Sequence, residues 1–423
     1  MAKCLRSEEI LRIEGHGEML VKIRGGNVES VEFRVLEPSR LFEAFMVGKS
    51  AVEAPYISSR ICGLCGYSHA MCAAKAVENA LNLEVPDEVS LLREAIMMLN
   101  TVDSHLIHVF ALSLPDFIKV KTFIEAAAKL PRQYKEAFEI KKTICDTLTR
   151  ICGSSVHPVN IVPGGFTSKI DKKTLVEVSS ELEEEASKAE QLIEEVIALL
   201  ISGEKLDRKS NYGALADDSY PFYTGESVVI AGEKIPASKF KEKVKEVEVD
   251  YSTSKKALFQ GENYMVGALA RLNNHYSKLS EAARKIADQL GLKLPSTNPY
   301  LIPAAQLIEA VHCLEKASEI MRSLPTISPA EKLSEKSGVG MAIVEAPRGL
   351  LYHEYRIENG KIAEADIITP TVQNIPDIEA SVKQIAEKFS KCDPSTIKEK
   401  CEVVVRCYDP CLSCSTHVIK LSE

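Results

Sequence analysis

The chain has 423 residues, of which 45% are hydrophobic and 26% are charged, so that a large globular core is expected. The net charge of −8 argues against a nucleic-acid or membrane-surface role, for which a basic face would be expected. The start of the chain turns charged at once, without the apolar stretch of a signal peptide, and no apolar run approaches the about 18–20 residues of a membrane span, so a cytoplasmic protein is predicted.

The N-terminal segment, residues 1–50, is predicted to be rich in β structure. Apolar and polar residues alternate on both sides of the sequence Gly25-Gly26-Asn27, a pattern that is typical of a β-hairpin. A second stretch, residues 203–263, is polar and rich in turn sequences. It is predicted to form a peripheral α/β excursion that consists of short strands and loops.

Helical spacing of apolar residues begins at about Pro86. Pro131 is expected to divide the first helical run, because proline interrupts a helix interior. One long, strongly charged helix is expected over residues 172–201. Residues 86–202 and 264–325 are together predicted to form the helical core.

The C-terminal part, residues 340–417, is predicted to contain a β-hairpin that turns at residues 358–361. A helix is expected over residues 378–389, and the apolar run EVVVRC, residues 402–407, is expected to form a strand. These patterns predict an α+β fold that is mainly α, with a bundle of long helices as its core and small β-sheet elements in the N-terminal and C-terminal parts. Residues 1–417 are expected to form one interwoven unit.

The chain has twelve cysteines. Where no secretory signal is present, free thiols, metal ligands and redox groups are more common than disulfides. Eight of the cysteines have no ligand spacing and are expected to be structural. The other four form two Cys-x-x-Cys pairs that are each followed by a histidine: Cys62, Cys65 and His69 in the first, and Cys411, Cys414 and His417 in the second.

The two pairs can form one four-sulfur site only if the fold brings the two ends of the chain together. Spacing alone leaves three possibilities: a structural zinc site, a catalytic metal centre and a redox-active dithiol. The pairs of a structural zinc site usually lie much closer in sequence. A dithiol does not account for two pairs that are each followed by a histidine. Thiolate sulfur binds zinc, nickel, copper(I) and iron alike, so the spacing leaves the metal open.

The two cysteine segments, RICGLCGYSHA and DPCLSCSTH, resemble the two signature motifs of the large, catalytic subunit of nickel–iron hydrogenases. Five further segments resemble that family in its own order and extend over nearly the whole chain: RIEGHGE, RLFEAF, SHLIH, APRGLLYH and ITPTVQN. The resemblance implies the fold of that subunit and the reversible heterolytic cleavage of H2. The short chain and its ending, THVIKLSE, most resemble the cytosolic group that is coupled to soluble electron carriers.

The resemblance implies a nickel–iron centre held by four thiolates, with CO and cyanide bound to the iron. Cys62 and Cys411 would be terminal nickel ligands, and Cys65 and Cys414 would bridge nickel and iron. Such ligands suit the chemistry, because a metal ion deprotonates thiols and polarisable sulfur supports low-valent metal states. Cys411 would be the first base to take a proton, and Glu14 would relay it. Without the resemblance, Glu14 has the pattern of a solvated surface glutamate.

The resemblance also implies a set of polar residues around the iron ligands. Arg348 has five donors and a permanent charge, so that it would hydrogen-bond a cyanide and balance the charge of the centre. Asp409 would orient Arg348. Thr371, which follows Pro370, would donate to the second cyanide. His69 would donate a hydrogen bond to the sulfur of a bridging cysteine.

A second metal ion, usually magnesium in this family, is implied near the C-terminal end. Its ligands would be Glu43, the carbonyl oxygen of Ile367 and His417. Magnesium favours oxygen ligands, so a histidine ligand would be unusual for it.

One segment, SHLIH, departs from the family pattern. Many relatives have an aspartate immediately before its first histidine, where this chain has Ser104, and Asp103 lies one residue earlier. The carboxylate cover over the metals is therefore expected to be thinner. His105 and His108 share one side of a helix and are expected to pack in the core or to support the centre.

The sequence has no further cysteine cluster for an iron–sulfur centre and no G-x-G-x-x-G dinucleotide fingerprint. The resemblance therefore implies an iron–sulfur small subunit as partner, and further diaphorase-like or other electron-carrier subunits. It also implies a maturation protease that removes residues 418–423 once nickel is bound.

Two other classes of protein stay open as alternatives. One is a non-catalytic scaffold related to the quinone-site subunit of respiratory complex I, although such relatives have lost the cysteine pairs. The other is an interaction protein stabilised by zinc.

Overall fold

The structure is a computed structural model that describes residues 2–7, 9–206, 208–333 and 336–416. His417 and the tail, residues 418–423, lie outside the described residues. The predicted metal ligand His417 and the predicted removal of the tail therefore stay predictions. Residues from both ends of the chain, from Leu5 to Cys414, share one large hydrophobic core.

A three-stranded antiparallel sheet begins the chain and confirms the predicted N-terminal hairpin. Gly25 and Gly26 form its turn with φ of 61° and 90°, the left-handed region that glycine adopts without strain. The strands lie in sequence order: β1 (Ala2–Ser7), β2 (Gly17–Arg24) and β3 (Asn27–Val35).

Three helices lie between this sheet and the predicted helical core: α1 (Phe42–Met46), α2 (Ala54–Ser58) and α3 (Gly66–Leu81). The sequence pattern did not predict α3. Nearly every side chain of α3 is buried, because the helix packs against α2, against the helix of residues 87–106 and against the two strands of residues 338–346 and 349–358. A helix that is buried on all sides has no polar face, and the periodic signal is then weak.

The helical core begins as predicted, with Pro131 at the start of a new helix. Its elements are α4 (Asp87–Leu106), a π-helical stretch (Ile107–Ser113), α5 (Leu114–Phe117), α6 (Phe123–Lys129) and α7 (Pro131–Cys152). By length and composition the stretch Asp87–Phe117 could cross a membrane, which corrects the expectation that no apolar run is long enough. However, 83% of its most apolar window is buried within the protein, as in a core helix.

The long charged helix is confirmed as α8, and the short pair β4 and β5 precedes it: β4 (Ile161–Val162), β5 (Gly165–Phe166) and α8 (Lys172–Leu200). The following segment has the short elements that were predicted for residues 203–263. They are β6 (Asn211–Ala216), β7 (Ser227–Ile230), β8 (Glu233–Pro236), α9 (Phe240–Lys243), β9 (Val244–Val247) and β10 (Lys256–Phe259). The strand β11 (Tyr264–Met265) pairs with β6 and completes a four-stranded sheet of order β11-β6-β7-β8, whereas β9 and β10 form a separate two-stranded sheet.

The second helical part has three helices: α10 (Ala268–His275), α11 (Glu281–Gln289) and α12 (Ile302–Ser323). Helix α12 packs against both α4 and α8 and forms the centre of the bundle. The predicted hairpin follows, with its turn at Asn359 and Gly360, and a further strand completes an antiparallel sheet. Its strands are β12 (Gly338–Ala346), β13 (Gly349–Glu358) and β14 (Lys361–Ile368).

The described part of the chain ends in three helices: α13 (Pro370–Lys388), α14 (Pro394–Cys407) and α15 (Leu412–Ser415). Helix α13 begins earlier than the predicted residue 378. The strand predicted for EVVVRC is wrong, because these residues form the end of α14. Asp393 caps this helix by accepting from the Thr396 amide at 3.0 Å, and Pro394 occupies its first turn. These start signals and the burial of Val404 outweigh the weak strand preference of β-branched residues.

Candidate metal centre

Four cysteine thiols from the two ends of the chain meet in the protein interior. The Sγ atoms of Cys62, Cys65, Cys411 and Cys414 all lie within 4.8 Å of one another, and all four residues are buried. Cys62 lies 3.4 Å from Cys411, and Cys65 lies 3.3 Å from Cys414. Metal–sulfur bonds are about 2.3 Å long, so thiolates on one ion are separated by up to about 4.6 Å. The cluster therefore has the dimensions of a metal site.

The first pair lies where a 3-10 turn meets the N-terminus of α3. Cys62 follows the turn Ser59–Ile61, and Cys65 is the N-cap residue of α3. The next residue must be glycine, because a Cβ at Gly66 would lie 2.8 Å from the Ser59 carbonyl oxygen. The helix N-terminus carries a partial positive charge that favours thiolates beside it.

The second pair is held by backbone contacts to distant parts of the chain. The Cys411 amide donates to Thr371 Oγ1 at 3.0 Å. The Arg40 amide donates to the Thr416 carbonyl at 2.7 Å, and the Arg40 guanidinium donates to the Ile61 carbonyl beside the first pair. Arg40 therefore joins the two cysteine segments to each other.

The electrostatics of the cluster call for a cation. Hydrogen bonds from Cys411 and Cys414 hold the pKa of Cys62 well below its ordinary value. Burial raises the pKa of Cys411 and of Cys414 well above theirs. The cluster alone thus favours one thiolate, and several thiolates in this buried space need a bound metal ion. Four soft sulfur donors fit nickel and iron, as they would also fit zinc.

Glu14 lies against the second cysteine segment. Its Oε2 accepts from the Ser413 amide at 3.1 Å, and its Oε1 accepts from the Ser413 hydroxyl. Gly15 has φ of +86°, and a Cβ there would lie 2.8 Å from Leu412 Cβ, so only glycine permits this close approach. Ser413 Oγ lies 3.9 Å from Cys411 Sγ. Ser413 was not among the predicted site residues, because its only sequence signal is its place inside the motif.

Arg348 is buried in the turn between β12 and β13 and points to the second cysteine segment. Its Nε donates to the Asp409 carbonyl at 2.6 Å, and its Nη2 donates to Asp409 Oδ1 at 2.7 Å. Asp409 is also contacted by Gln306 Nε2 at 3.3 Å. The Ser104 hydroxyl accepts from Arg348 Nη1 at 3.4 Å. The place of Ser104 beside the arginine agrees with the expectation that it stands where the family pattern has a carboxylate, whereas Gln306 was not predicted as a neighbour of the site.

The histidines of the predicted site lie in buried hydrogen-bonded chains. His69 Nδ1 is 3.1 Å from His353 Nε2, and His353 Nδ1 is 2.7 Å from the Tyr355 hydroxyl. His105 contacts Glu309 at 2.9 Å, and His108 contacts the carbonyl of Arg406 at 2.7 Å. The last two histidines are thus bonded within the core and are not among the clustered ligands.

Glu43 and Ile367, the described members of the predicted second metal site, are in contact. Glu43 Oε1 accepts from the Ile367 amide at 2.7 Å. Burial, together with the nearby charge of Asp366, raises the pKa of Glu43 to about 8. The third predicted ligand, His417, lies outside the described residues.

Comparison with known proteins identifies the family. The family model described as nickel-dependent hydrogenase matches residues 40–132 and 204–417. The chain is 33% identical to sulfhydrogenase 1 subunit alpha of Pyrococcus furiosus, over 98% of each protein. It is 31% identical to sulfhydrogenase 2 subunit alpha of the same organism, over 98% of this chain and 99% of that protein.

A solved structure of an NAD+-reducing NiFe-hydrogenase in the H2-reduced state shares the fold. Its TM-score is 0.86 at 24% identity, over 98% of this chain and 99% of that one. The predicted mainly helical fold of a hydrogenase large subunit is thereby confirmed. With relatives matched over nearly their whole length, this chain belongs to the nickel-dependent hydrogenase family, as a catalytic large subunit.

Proposed function

We propose that the four clustered cysteines hold a nickel–iron centre, with CO and cyanide on the iron, and that this centre cleaves H2 reversibly and heterolytically. The observation that carries the proposal is the position of four buried thiols within 4.8 Å of one another. Cys62 and Cys411 would hold nickel as terminal ligands, and Cys65 and Cys414 would be the ligands that nickel and iron share. When bound, the centre supplies the Lewis acidity that makes H2 acidic and the redox-active metal that receives its electrons.

The chain supplies the route for the proton. Cys411 takes the proton at Sγ, and Glu14 relays it. Ser413 Oγ, at 3.9 Å from that sulfur, also donates to the Glu14 carboxylate. A hydroxyl in this position can accept a proton from one side while it donates to the other. Because Cys411 is buried and Glu14 is half-buried, the relay leads from the interior towards the surface.

Polar residues of the chain orient the diatomic ligands. Arg348 is held by two hydrogen bonds to Asp409, so that the third arm of its guanidinium, which contacts Ser104, faces away from that pair. Such a fixed charge suits a cyanide nitrogen. Thr371 accepts from the Cys411 amide and keeps its own hydroxyl proton to donate to the second cyanide. Pro370 fixes the start of α13 immediately before it.

His69 is proposed to donate a hydrogen bond to the sulfur of a bridging cysteine. The residue is buried near the start of α3, one turn after Cys65. Its Nδ1 is engaged with His353, which fixes the orientation of the imidazole ring. A donor held in this way tunes the basicity of a thiolate ligand.

A magnesium ion is proposed near the C-terminal end, with Glu43, the carbonyl oxygen of Ile367 and His417 as ligands. Support comes from the buried carboxylate of Glu43, whose pKa of about 8 would fall beside a bound cation. The Ile367 amide already places this carboxylate against β14 at 2.7 Å.

The electrons are proposed to leave through an iron–sulfur small subunit, and then through diaphorase-like or other electron-carrier subunits in the cytoplasm. The names of the relatives, which are alpha subunits, support a complex of several chains. An exposed apolar face beside the first cysteine pair fits such a partner, and it includes Tyr56, Val156 and Val159. Gly63 lies between the two cysteines of that pair, and a Cβ added to it would be 3.9 Å from Val156 Cγ1.

A maturation protease is proposed to remove residues 418–423 after His417, once nickel is bound. The support is the resemblance of the DPCLSCSTH segment to the family motif after which such cleavage occurs. Mass spectrometry of the active complex should show a large subunit that ends at His417. A fully active subunit that retains Glu423 would contradict the proposed cleavage.

Metal analysis of the purified complex tests the proposed centre against the two alternatives. We expect one nickel per large subunit and no stoichiometric zinc, since the four thiols bind whichever of these ions maturation delivers. One zinc and no nickel would identify a zinc-stabilised interaction protein. A folded protein whose four cysteines bind no metal would favour the non-catalytic scaffold.

A further inference from the structure

A fully buried arginine lies directly behind the turn that carries Arg348. Arg271, on α10, is 0% exposed. Its Nε and Nη2 donate to the two carboxylate oxygens of Glu309, both at 2.7 Å, and its Nη1 donates to Glu345 at 2.8 Å. Three of its five N–H groups are thus bonded to carboxylates, in the two-pronged geometry that guanidinium permits.

The remaining two N–H groups bond the backbone of the turn itself. Nη1 donates to the Ala346 carbonyl and Nη2 to the Pro347 carbonyl, both at 3.0 Å. These are the two residues before Arg348, at the point where β12 ends and the chain reverses into β13. Because both peptide planes are fixed, the direction in which the Arg348 side chain leaves the backbone is also fixed.

The residue before α10 packs tightly against the same turn. Gly267 has φ of +109°, and a Cβ there would lie 2.9 Å from the Arg348 carbonyl oxygen. Asn374 on α13 contacts the same carbonyl at 3.5 Å and bonds both backbone groups of Val266. The turn is therefore enclosed by α10 and α13, with Arg271 as the charged group at its base.

The acceptors of Arg271 are themselves held in place. Glu309 also accepts hydrogen bonds from the Tyr220 hydroxyl and from His105 at 2.9 Å. Burial alone would raise the pKa of Glu309, but the Arg271 guanidinium holds it below its ordinary value. Glu345 accepts from the Leu215 amide at 2.7 Å through its other oxygen. A carboxylate with this many donors gives Arg271 a single well-defined position.

We propose that Arg271 is a positioning residue of the hydrogenase: it fixes the Pro347–Arg348 turn so that the Arg348 guanidinium stays beside the four thiols. The inference rests on the role that the proposed function gives to Arg348. A lysine cannot replace Arg271, because an ammonium group cannot reach two carboxylates and two carbonyls in one plane.

Arg93 provides a matched control for this inference. It is also 0% exposed and bonds a carboxylate, Glu78, at 3.0 Å. It likewise donates to two backbone carbonyls, those of Val162 at 2.9 Å and Gly165 at 3.3 Å. Of these bonds, one is to α3 and two are to β4 and β5, and none is to the Arg348 turn. Arg93→Lys therefore measures the cost of losing a buried guanidinium elsewhere in the core.

The test compares Arg271→Lys and Arg93→Lys in the complete complex, by nickel content, infrared spectrum and H2 oxidation. We expect Arg271→Lys to bind nickel, to shift the cyanide bands and to lose about 10- to 100-fold in activity, as a small misplacement of a positioned group does. Arg93→Lys should lower the thermal stability and leave the bands and the activity per nickel unchanged. Unshifted bands and full activity per nickel in Arg271→Lys would overturn the inference, as would equal shifts in both variants.

A double variant shows whether Arg271 acts through Arg348. If it does, Arg271→Lys should add less than about twofold to the activity loss of Arg348→Lys, because coupled residues are not additive. Losses that multiply would overturn the inference.

Glu345→Gln replaces Arg271→Lys if the latter does not accumulate. It keeps the shape of the side chain and one of its two acceptor oxygens, and the two bonds from Arg271 to Glu309 remain to hold the guanidinium. A smaller band shift is expected in this variant, and unshifted bands would overturn the inference. Unmodified complex without any diatomic bands would instead contradict the proposed function, and with it the role of Arg348.

Discussion

Cys65→Ser is expected to abolish H2 uptake. The loss should far exceed the roughly 10- to 100-fold loss that is typical when a residue that only supports a metal ligand is removed. Cys65 is buried, and its sulfur lies 3.3 Å from that of Cys414. A serine hydroxyl is a hard donor with a high pKa, and it cannot bridge nickel and iron as a thiolate does. The measurements are H2 uptake and nickel content of the purified complex.

Cys72→Ser is the matched control for this variant. Cys72 lies on the same helix, α3, and is equally buried, but its sulfur contacts the carbonyls of Leu351 and Ala342 at 3.4 and 3.5 Å. Its replacement should lower stability only, with activity per nickel unchanged. Full H2 uptake by the Cys65→Ser complex would rule out the bridging role proposed for that cysteine.

Glu14→Gln is expected to slow H2 oxidation by about 10²- to 10⁴-fold, the range that a positioned acid–base group contributes. The amide keeps the size of the side chain and its place beside Ser413, but it cannot take up and release a proton. Nickel content and the infrared spectrum should therefore remain those of the unmodified complex. A loss of rate with an unchanged centre is the signature of a blocked proton route.

Glu37→Gln is the matched control, because Glu37 bonds the loop that contains Glu14. Glu37 is half-buried like Glu14, and it accepts from the His16 amide at 3.1 Å. No proton route runs through Glu37 in the proposed mechanism, so that its replacement should leave the rate of H2 oxidation unchanged. Equal rates in the two variants, whether fast or slow, would contradict the relay assigned to Glu14.

Local signals in the sequence were sufficient for several elements of the fold. The two hairpins were predicted at Gly25-Gly26 and at Asn359-Gly360, where turn residues follow alternating strands. The charged helix α8 was predicted because one of its faces is exposed, which leaves a periodic pattern. By contrast, α3 is buried on nearly all sides, and the β-branched end of α14 is helical through its cap and its packing.

The candidate site was predictable where a short motif carries the chemistry. Both cysteine pairs, Glu14 and Arg348 were found in this way. Ser413, Gln306 and Arg271 were not predicted, because their contacts around the site exist only in the folded chain. Arg271, for example, bonds Glu309 and the turn before Arg348, which are distant from it in sequence.

The meeting of the two cysteine pairs could be stated from sequence only as a condition. Spacing within each pair shows that one turn can direct two thiols to a common point. The approach of the pairs depends on the packing of α3 against β12 and of α13 against β3, and on contacts such as those of Arg40. These long-range contacts bring the C-terminal segment back to the N-terminal one.

Infrared spectroscopy of the purified complex tests the nickel–iron centre most directly. If the four thiolates hold nickel and an iron that carries CO and cyanide, the spectrum should contain bands from both diatomic ligands. These bands should be lost in Cys65→Ser. A spectrum without such bands, from a complex that contains one zinc per large subunit, would contradict the nickel–iron centre and with it the roles proposed for Cys411, Glu14 and Arg348.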